Sequence, residues 1–404
     1  MRGVVQVAAA LSLAASVMLA GTVVEAVKVK SLDGIKCGAD LIRKNAKFTK
    51  VAVYPQTTVQ MNDKKANELN KDAKAKLVDV AAFTDGKSVA LIVRWPDKTK
   101  DVFDCYCSDK YPDGFAVQFA SDASNPEKLP YIGMGSDGRP VAIYIRKAYG
   151  TIYEPNGDGN VEFQVNPHNV NAFGEDLKKF EKEVEKRGLK TYQRAFVSEG
   201  FRSMTEIKDD SAKFRTDMHY VEKNGGMWGG LVVRPIEDEY AKPAKGEYAV
   251  AVAVWDGKEL QRDGLKRLSG WIAVKLPGGD HAQLEKVVTE QVQGDVNKGQ
   301  ELAMTNCASC HRWKGAEMAP KYMAPDLSNI GGQATAAYIK ESIVDPNAVI
   351  VPGYNRNAHP NFSWYMVDEN GNRTSAMPPF NYLKPEEIND LTAYMQTLKA
   401  EVEK

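Results

Sequence analysis

Through residues 49 to 275, valine, isoleucine and aromatic residues alternate with polar ones in short runs. "TKVAVYPQTTVQM", "KLVDVAAFTDGKSVALIVRWPD", "DGFAVQFAS", "RPVAIYIRKAY", "MWGGLVVRPI" and "EYAVAVAVWDG" each have the period of a half-buried strand. Asp85-Gly86, between two such runs, predicts a hairpin. Several antiparallel strands separated by turns predict a β-sandwich. One segment departs from that period: "GEDLKKFEKEVEKRGL" (174–189) sets Leu177, Phe180 and Val184 on a narrow helical stripe, with Gly188 as its stop. The lysine-rich "NDKKANELNKDAKAK" (62–76) reads as a surface loop.

After residue 294 the apolar spacing changes to three and four. Asp295 is placed to cap a helix through Val296, Leu302 and Ala303, and "PEEINDLTAYMQTLKA" starts with Pro385 and aligns Ile388, Leu391, Tyr394, Met395 and Leu398 on one face. The chain therefore divides into a mainly antiparallel β-sandwich domain (27–275), a polar linker (276–293) marked by Pro277-Gly278-Gly279, and an all-α domain (294–404).

Residues 1–26 have the form of a signal peptide. Arg2 supplies the positive end, residues 3–20 are apolar or small, and Val24-Glu25-Ala26 is a small-residue cleavage site. This predicts export to a periplasm or an equivalent lumen such as an anammoxosome, with no retained membrane span. Lys plus Arg and Asp plus Glu balance at 53 each, which excludes the basic excess expected of a nucleic-acid or anionic-membrane binder. In an oxidising compartment the five cysteines, Cys37, Cys105, Cys107, Cys307 and Cys310, cannot all pair. They are also too few for an iron–sulfur cluster beside any other use.

"NCASCHRWKG" (306–315) carries the clearest chemistry. In Cys-x-x-Cys-His, Cys307 and Cys310 are spaced to bond the vinyl groups of a c-type haem, and His311 is placed to ligate its iron. Neither a second ligand pair at zinc-finger spacing nor a βαβ surround accompanies it. Met377 in "SAMPPFNYL" is the expected sixth ligand, a soft thioether that raises the potential, with His359 as the alternative. Met318 and Met323 follow the attachment site too closely, and His168, His219 and His281 read as ordinary surface or strand residues. With "APDLSNIGG" and "AMPPF", this region resembles the class I cytochrome c family over about residues 294–401.

By residue pattern alone the β-domain suits a carbohydrate binder, a docking module or a cofactor cradle. Its "WPDKT", "DGFAVQF", "PYIGMGSDGRPVAIYIRKA" and "VAVWDGKELQRDGLKRLSGWI" resemble, in order, the haem b-binding domain of ethylbenzene dehydrogenase and the gamma subunits of related periplasmic molybdenum enzymes. The resemblance implies a non-covalent haem b held between a methionine and a lysine, which match Met134 and Lys266 here. Lys258 ranks second for the lysine; Met204, Met218 and Met227 are the fallback methionines. The chain departs from the family at 141–147, where Val-Ala-Ile-Tyr-Ile-Arg-Lys replaces a tryptophan-bearing pattern. A fused c-type domain resembles most the gamma subunit of nitrite oxidoreductases. The resemblance implies a non-catalytic, dihaem relay between a partner iron–sulfur subunit, itself joined to a molybdopterin subunit, and a soluble cytochrome or other redox partner. The competing expectation is a monohaem cytochrome c tethered to a ligand-binding or docking sandwich.

Overall fold

A computed structural model describes residues 22–59, 63–102, 111–148, 193–201, 203–207, 214–280, 282–353 and 362–403. The segment 1–21, Cys105, Cys107, His168, the helix expected at 174–189, His281 and His359 lie outside the described residues.

The strands are β1 (Thr22–Lys28), β2 (Thr49–Pro55), β3 (Lys76–Thr84), β4 (Ser88–Pro96), β5 (Gly114–Ala120), β6 (Val141–Lys147), β7 (Gln193–Ser198), β8 (Thr205–Ile207), β9 (Arg215–Val221), β10 (Met227–Pro235), β11 (Glu247–Trp255), β12 (Arg267–Leu268), β13 (Ile272–Lys275), β14 (Tyr365–Val367) and β15 (Arg373–Ser375). The helices are α1 (Gly38–Ile42), α2 (Lys64–Leu69), α3 (Ala282–Thr289), α4 (Val296–Asn306), α5 (Ile330–Gln333), α6 (Ala336–Val344) and α7 (Pro385–Thr397).

The expected sandwich is present. One layer runs β8-β7-β6-β5-β11, with β12 and β13 following one another along the free edge of β11; the other runs β2-β3-β4-β10-β9. Side chains such as Val80, Leu91, Val93, Phe115, Phe119 and Val252 fill the space between them without solvent contact. Arg234 also lies in this core, fully buried, paired with Asp238 at 2.6 Å and surrounded by the rings of Phe119, Tyr144 and Tyr248. The Asp85-Gly86 hairpin forms between β3 and β4: Gly86 takes φ +89°, and Asp85 Oδ1 accepts from the amides of Lys87 and Ser88.

Three segments differ from the sequence reading. The boundary placed after Ala26 falls inside β1, whose first half pairs with β13 and second half with β3, stitching the two layers together; Val24 is fully buried. Val24, read as part of the cleavage site, is a residue of this strand. The expected linker contains α3, where Leu284, Val287 and Val288 follow i, i+3, i+4 spacing and are buried. The lysine-rich loop contains α2, capped by Asp63, whose Oδ1 accepts from the Ala66 amide at 3.0 Å.

The outer faces of the two layers differ. That of β3, β4 and β10 is sealed by Leu32, Ile35 and Leu41. The other is shallow, because Ala116 and Ala120 on β5 and Ala249, Ala251 and Ala253 on β11 alternate toward it. Here the helical domain docks. Arg139 makes a bidentate pair with Glu341 of α6 at 2.8 and 3.0 Å, Lys128 joins the same carboxylate, and Tyr131 packs on Tyr338.

Within the helical domain α4 crosses α7, as the paired helices predicted, with Asp295 capping α4 and Pro385 opening α7. The crossing is close because residue 299 is glycine: a Cβ there would stand 2.0 Å from the Asp390 carbonyl oxygen. Trp313 is buried beside it and donates from Nε1 to the Tyr394 hydroxyl at 2.9 Å.

Glu341→Ala should weaken docking by about 3 kcal/mol, since it leaves the Arg139 charge without its carboxylate at a mostly buried contact, with the Ala348 carbonyl still accepting at 3.0 Å; urea unfolding followed separately at tryptophan and at the expected c-type haem should lose coincidence. The Arg139 and Lys128 partners hold the Glu341 carboxyl below its ordinary value. This contribution is therefore present above about pH 4.5 and lost as pH falls through the lower folded-state value.

Candidate functional site

Cys307 ends α4, its amide donating to the Ala303 carbonyl at 2.8 Å. The next turn continues from it, with the amides of Cys310 and His311 both donating to the Cys307 carbonyl, at 3.1 and 2.8 Å. The His311 Nδ1 lies 2.8 Å from the Pro325 carbonyl oxygen, so Nδ1 carries the proton and Nε2 keeps its lone pair free for a metal. Burial lowers the imidazole pKa, and a neutral ring is the ligating form. "APDLSNIGG" thereby acquires a role, since Pro325 orients His311 while the Leu327 amide fastens the loop to the Arg312 carbonyl at 2.7 Å. Cys307 and Cys310 form no disulfide, and burial pushes the Cys307 thiol up to about 11. Among the described residues Cys37, at the start of α1, has no disulfide partner.

Met377 is half-buried in the loop after the β14–β15 hairpin, with its amide donating to Ser375 Oγ at 3.1 Å. The Phe380 amide ties the same loop to the Ile343 carbonyl of α6 at 2.9 Å. Met318 is 68% exposed. The sequence reading missed the hairpin, although Asn370-Gly371 and the capping Asp368 are turn signals.

The second pair of expected ligands, Met134 and Lys266, lies on the alanine-rich face. Met134 occupies a left-handed turn at φ +76°, unusual for a side-chain-bearing residue and followed by Gly135 at +84°. The turn is pinned by Gln118 of β5, whose Oε1 accepts from the Met134 amide at 3.1 Å and whose Nε2 donates to the Ile132 carbonyl at 2.8 Å. Lys266 immediately precedes β12, and its ammonium stands 4.7 Å from the centre of the Trp255 ring. Burial pulls the Lys266 pKa down to about 8; the Asp263 carboxylate opposes the shift and the Lys147 ammonium adds to it.

Strand register relates the two. Gln118 sits opposite Ala251, Ala116 opposite Ala253 and Ile145, and Gly114 opposite Trp255 and Lys147, all on one face. From Gln118 to Gly114 is four residues, roughly 13 Å along the strand. Met134 is thus tied to one end of a row and Lys266 overlies the other. Between them the floor is Ala116, Ala253 and Ile145, each half-exposed. Trp255 lies flat at its end because residue 114 is glycine, where a Cβ would stand 2.2 Å from the indole. A thioether and an amine that is readily made neutral, at the two ends of a shallow floor, are donor types that suit a haem iron. Lys258 is exposed, Met204 is 45% exposed, and Met218 and Met227 belong to strands of the other layer.

The ethylbenzene dehydrogenase profile matches residues 38–267, more than half of the chain, and takes in both Met134 and Lys266. The chain belongs to the ethylbenzene dehydrogenase family. A cytochrome c profile matches residues 296–399. This family member is therefore a haem-containing electron-transfer subunit, a gamma-subunit-like domain fused to a cytochrome c, and its family serves multi-subunit molybdenum enzymes.

No curated protein matches it. Among solved structures it is similar to a family 9 carbohydrate-binding module from Caldicellulosiruptor kristjanssonii in complex with cellotriose, at 10% identity and TM-score 0.30, over 64% of this chain and 94% of that one. It is similar too to a putative carbohydrate-binding protein from Bacteroides uniformis, at 9% identity and TM-score 0.30, over 63% and 99%. Likeness at this level carries no functional inference. Among the described residues no helix is long and apolar enough to cross a membrane.

One constellation escaped the sequence reading. Asp97 of "WPDKT", Asp113 of "DGFAVQF" and Asp256 of "VWDG" bring carboxylate oxygens within 4.8 Å of one another. Asp113 is fully buried and accepts from Trp228 Nε1 at 2.8 Å, from the Gly257 amide at 2.8 Å and from the Asp101 amide at 2.7 Å. It thus ties the loops that follow β4 and β11 to the start of β5. Burial, assisted by the charges of Asp97 and Asp101, raises Asp113 to about 8; burial and Asp256 raise Asp97 to about 6.

A carboxyl whose pKa rises on folding holds a proton that the unfolded chain releases, so stability should fall as pH climbs from about 4 to about 8. Asp113→Asn should flatten that slope in urea unfolding measured across this range.

Proposed function

We propose that the chain is the dihaem electron-transfer subunit of an exported molybdenum oxidoreductase complex. Met134 and Lys266 hold a haem b; Cys307 and Cys310 attach a haem c covalently, and His311 and Met377 are its axial ligands. When bound, the haems supply reversible one-electron chemistry, tuned by ligand type and burial. Substrate chemistry belongs to the molybdopterin subunit, and electrons pass between its iron–sulfur partner and a soluble cytochrome or similar acceptor. The fused c-type domain favours a nitrite-oxidising complex.

The observation that carries this reading is the position of the Lys266 amine, 4.7 Å from the centre of the Trp255 ring at the far end of an alanine floor from the Met134 turn, where desolvation brings its pKa down to about 8. An ammonium has no lone pair to offer, so ligation requires the proton to leave. The Lys147 charge and the poor solvation at this site both assist that loss.

Haem-loaded protein should yield one covalent haem and one haem extractable with acidic solvent by pyridine haemochrome spectra. Met134→Ala or Lys266→Ala should lose the extractable haem and keep the covalent one. Covalent haem alone in the native protein would instead leave a monohaem cytochrome tethered to a docking or ligand-binding sandwich. Because Lys266 binds only when neutral, haem b affinity in reconstitution titrations should rise from pH 6 and level off above the folded-state value of about 8.

A further inference from the structure

The segment Tyr54 to Thr58 touches both ligand sets. On one side, the Gln56 amide donates to the Lys266 carbonyl at 3.1 Å, extending the β2–β12 pairing by one bond. On the other, Thr57 Oγ1 donates to the Asp326 carbonyl at 3.2 Å. Asp326 follows Pro325, whose carbonyl accepts the Nδ1 proton of His311 at 2.8 Å.

We infer that Lys266, Gln56, Thr57, Asp326, Pro325 and His311 form a through-bond electronic route between the two haem-ligating side chains, with the Thr57 hydroxyl as its one side-chain link across the domain interface. The route rests on the Met134 and Lys266 assignment made above. Between Lys266 and His311 it contains only covalent bonds and three hydrogen bonds. One electron crosses; one end is oxidised by one unit as the other is reduced by one, and no bond or proton is exchanged.

The interface holds this contact in register by other means as well. Asn329 Nδ2 donates to the Pro55 carbonyl at 3.0 Å, Gln333 Nε2 to the Tyr54 carbonyl at 3.4 Å, and the Tyr54 ring packs against Gly332, where a Cβ would stand 2.6 Å from it. Removing the Thr57 hydroxyl therefore removes a link on the route while docking persists. Thr57 is a positioning and coupling residue rather than a ligand.

The test is the rate at which an electron equilibrates between haem b and haem c in the full-length dihaem protein after rapid photoreduction. Thr57→Val should slow it several-fold, Thr57→Ser should restore it, and Gln333→Met, which removes a crossing bond off the route, should keep the native rate. Haem content, visible spectra and both midpoint potentials should be unchanged in all three. A native rate in Thr57→Val with both haems present, or equal slowing in Gln333→Met, would overturn the route. Absence of extractable haem b from the native protein would show itself first, in the stoichiometry, and would overturn the ligand assignment together with the route.

Discussion

The close approach of residues 54–58 to the loop 325–333 is the contact on which the rest depends. It brings backbone against backbone, which is possible because Gly332 has no side chain to hold Tyr54 away. The carbonyls at the end of β2 accept from Asn329 and Gln333, so polar groups that would otherwise be buried without partners complete the interface. The Arg139–Glu341 pair clamps the opposite side of the same face. Between these two fastenings, α3 fills the junction with Leu284 and Val288, so that the two domains share an apolar cluster.

Burial also governs the chemistry of the candidate ligands. It lowers His311 and Lys266, the two nitrogen bases, toward their neutral forms, and raises the Cys307 thiol. For the bases, desolvation acts in the direction metal ligation requires. Hydrogen bonding then sets orientation: Pro325 fixes the His311 ring and Gln118 fixes the Met134 turn. The left-handed backbone at Met134 is a local cost offset by that second bond from Gln118 and by packing on the outer face of the sheet.

Buried ionisable groups away from the ligands serve architecture. Asp113 gathers three donors from three separate segments and holds its own proton near neutrality, while Arg234 is paired with Asp238 among aromatic rings. Each replaces what would otherwise be a loose loop or an empty space between layers with a fixed point. The Asp113 knot lies behind Trp255, the ring on which the Lys266 ammonium rests, because Gly257 and Trp255 belong to the same strand end.

What the sequence determined by itself was local. Period-two valines specify strands, Asp85-Gly86 a hairpin, Asp295 and Pro385 the starts of two helices, and Cys-x-x-Cys-His a covalent attachment, because each depends on neighbours a few residues apart. The tertiary structure alone decided whatever joins distant segments. Val24 suits the end of a leader and a strand equally well by its sequence, and its pairing with β13 is visible only in the tertiary structure. The polar stretch after Pro277 hides three apolar residues that matter only when a sheet face lies beneath them. Asp97, Asp113 and Asp256 carry no common spacing, and Thr57 has no motif at all. Their placement follows from strand register and domain docking, which are set by the packing of the whole chain rather than by the preferences of any one segment.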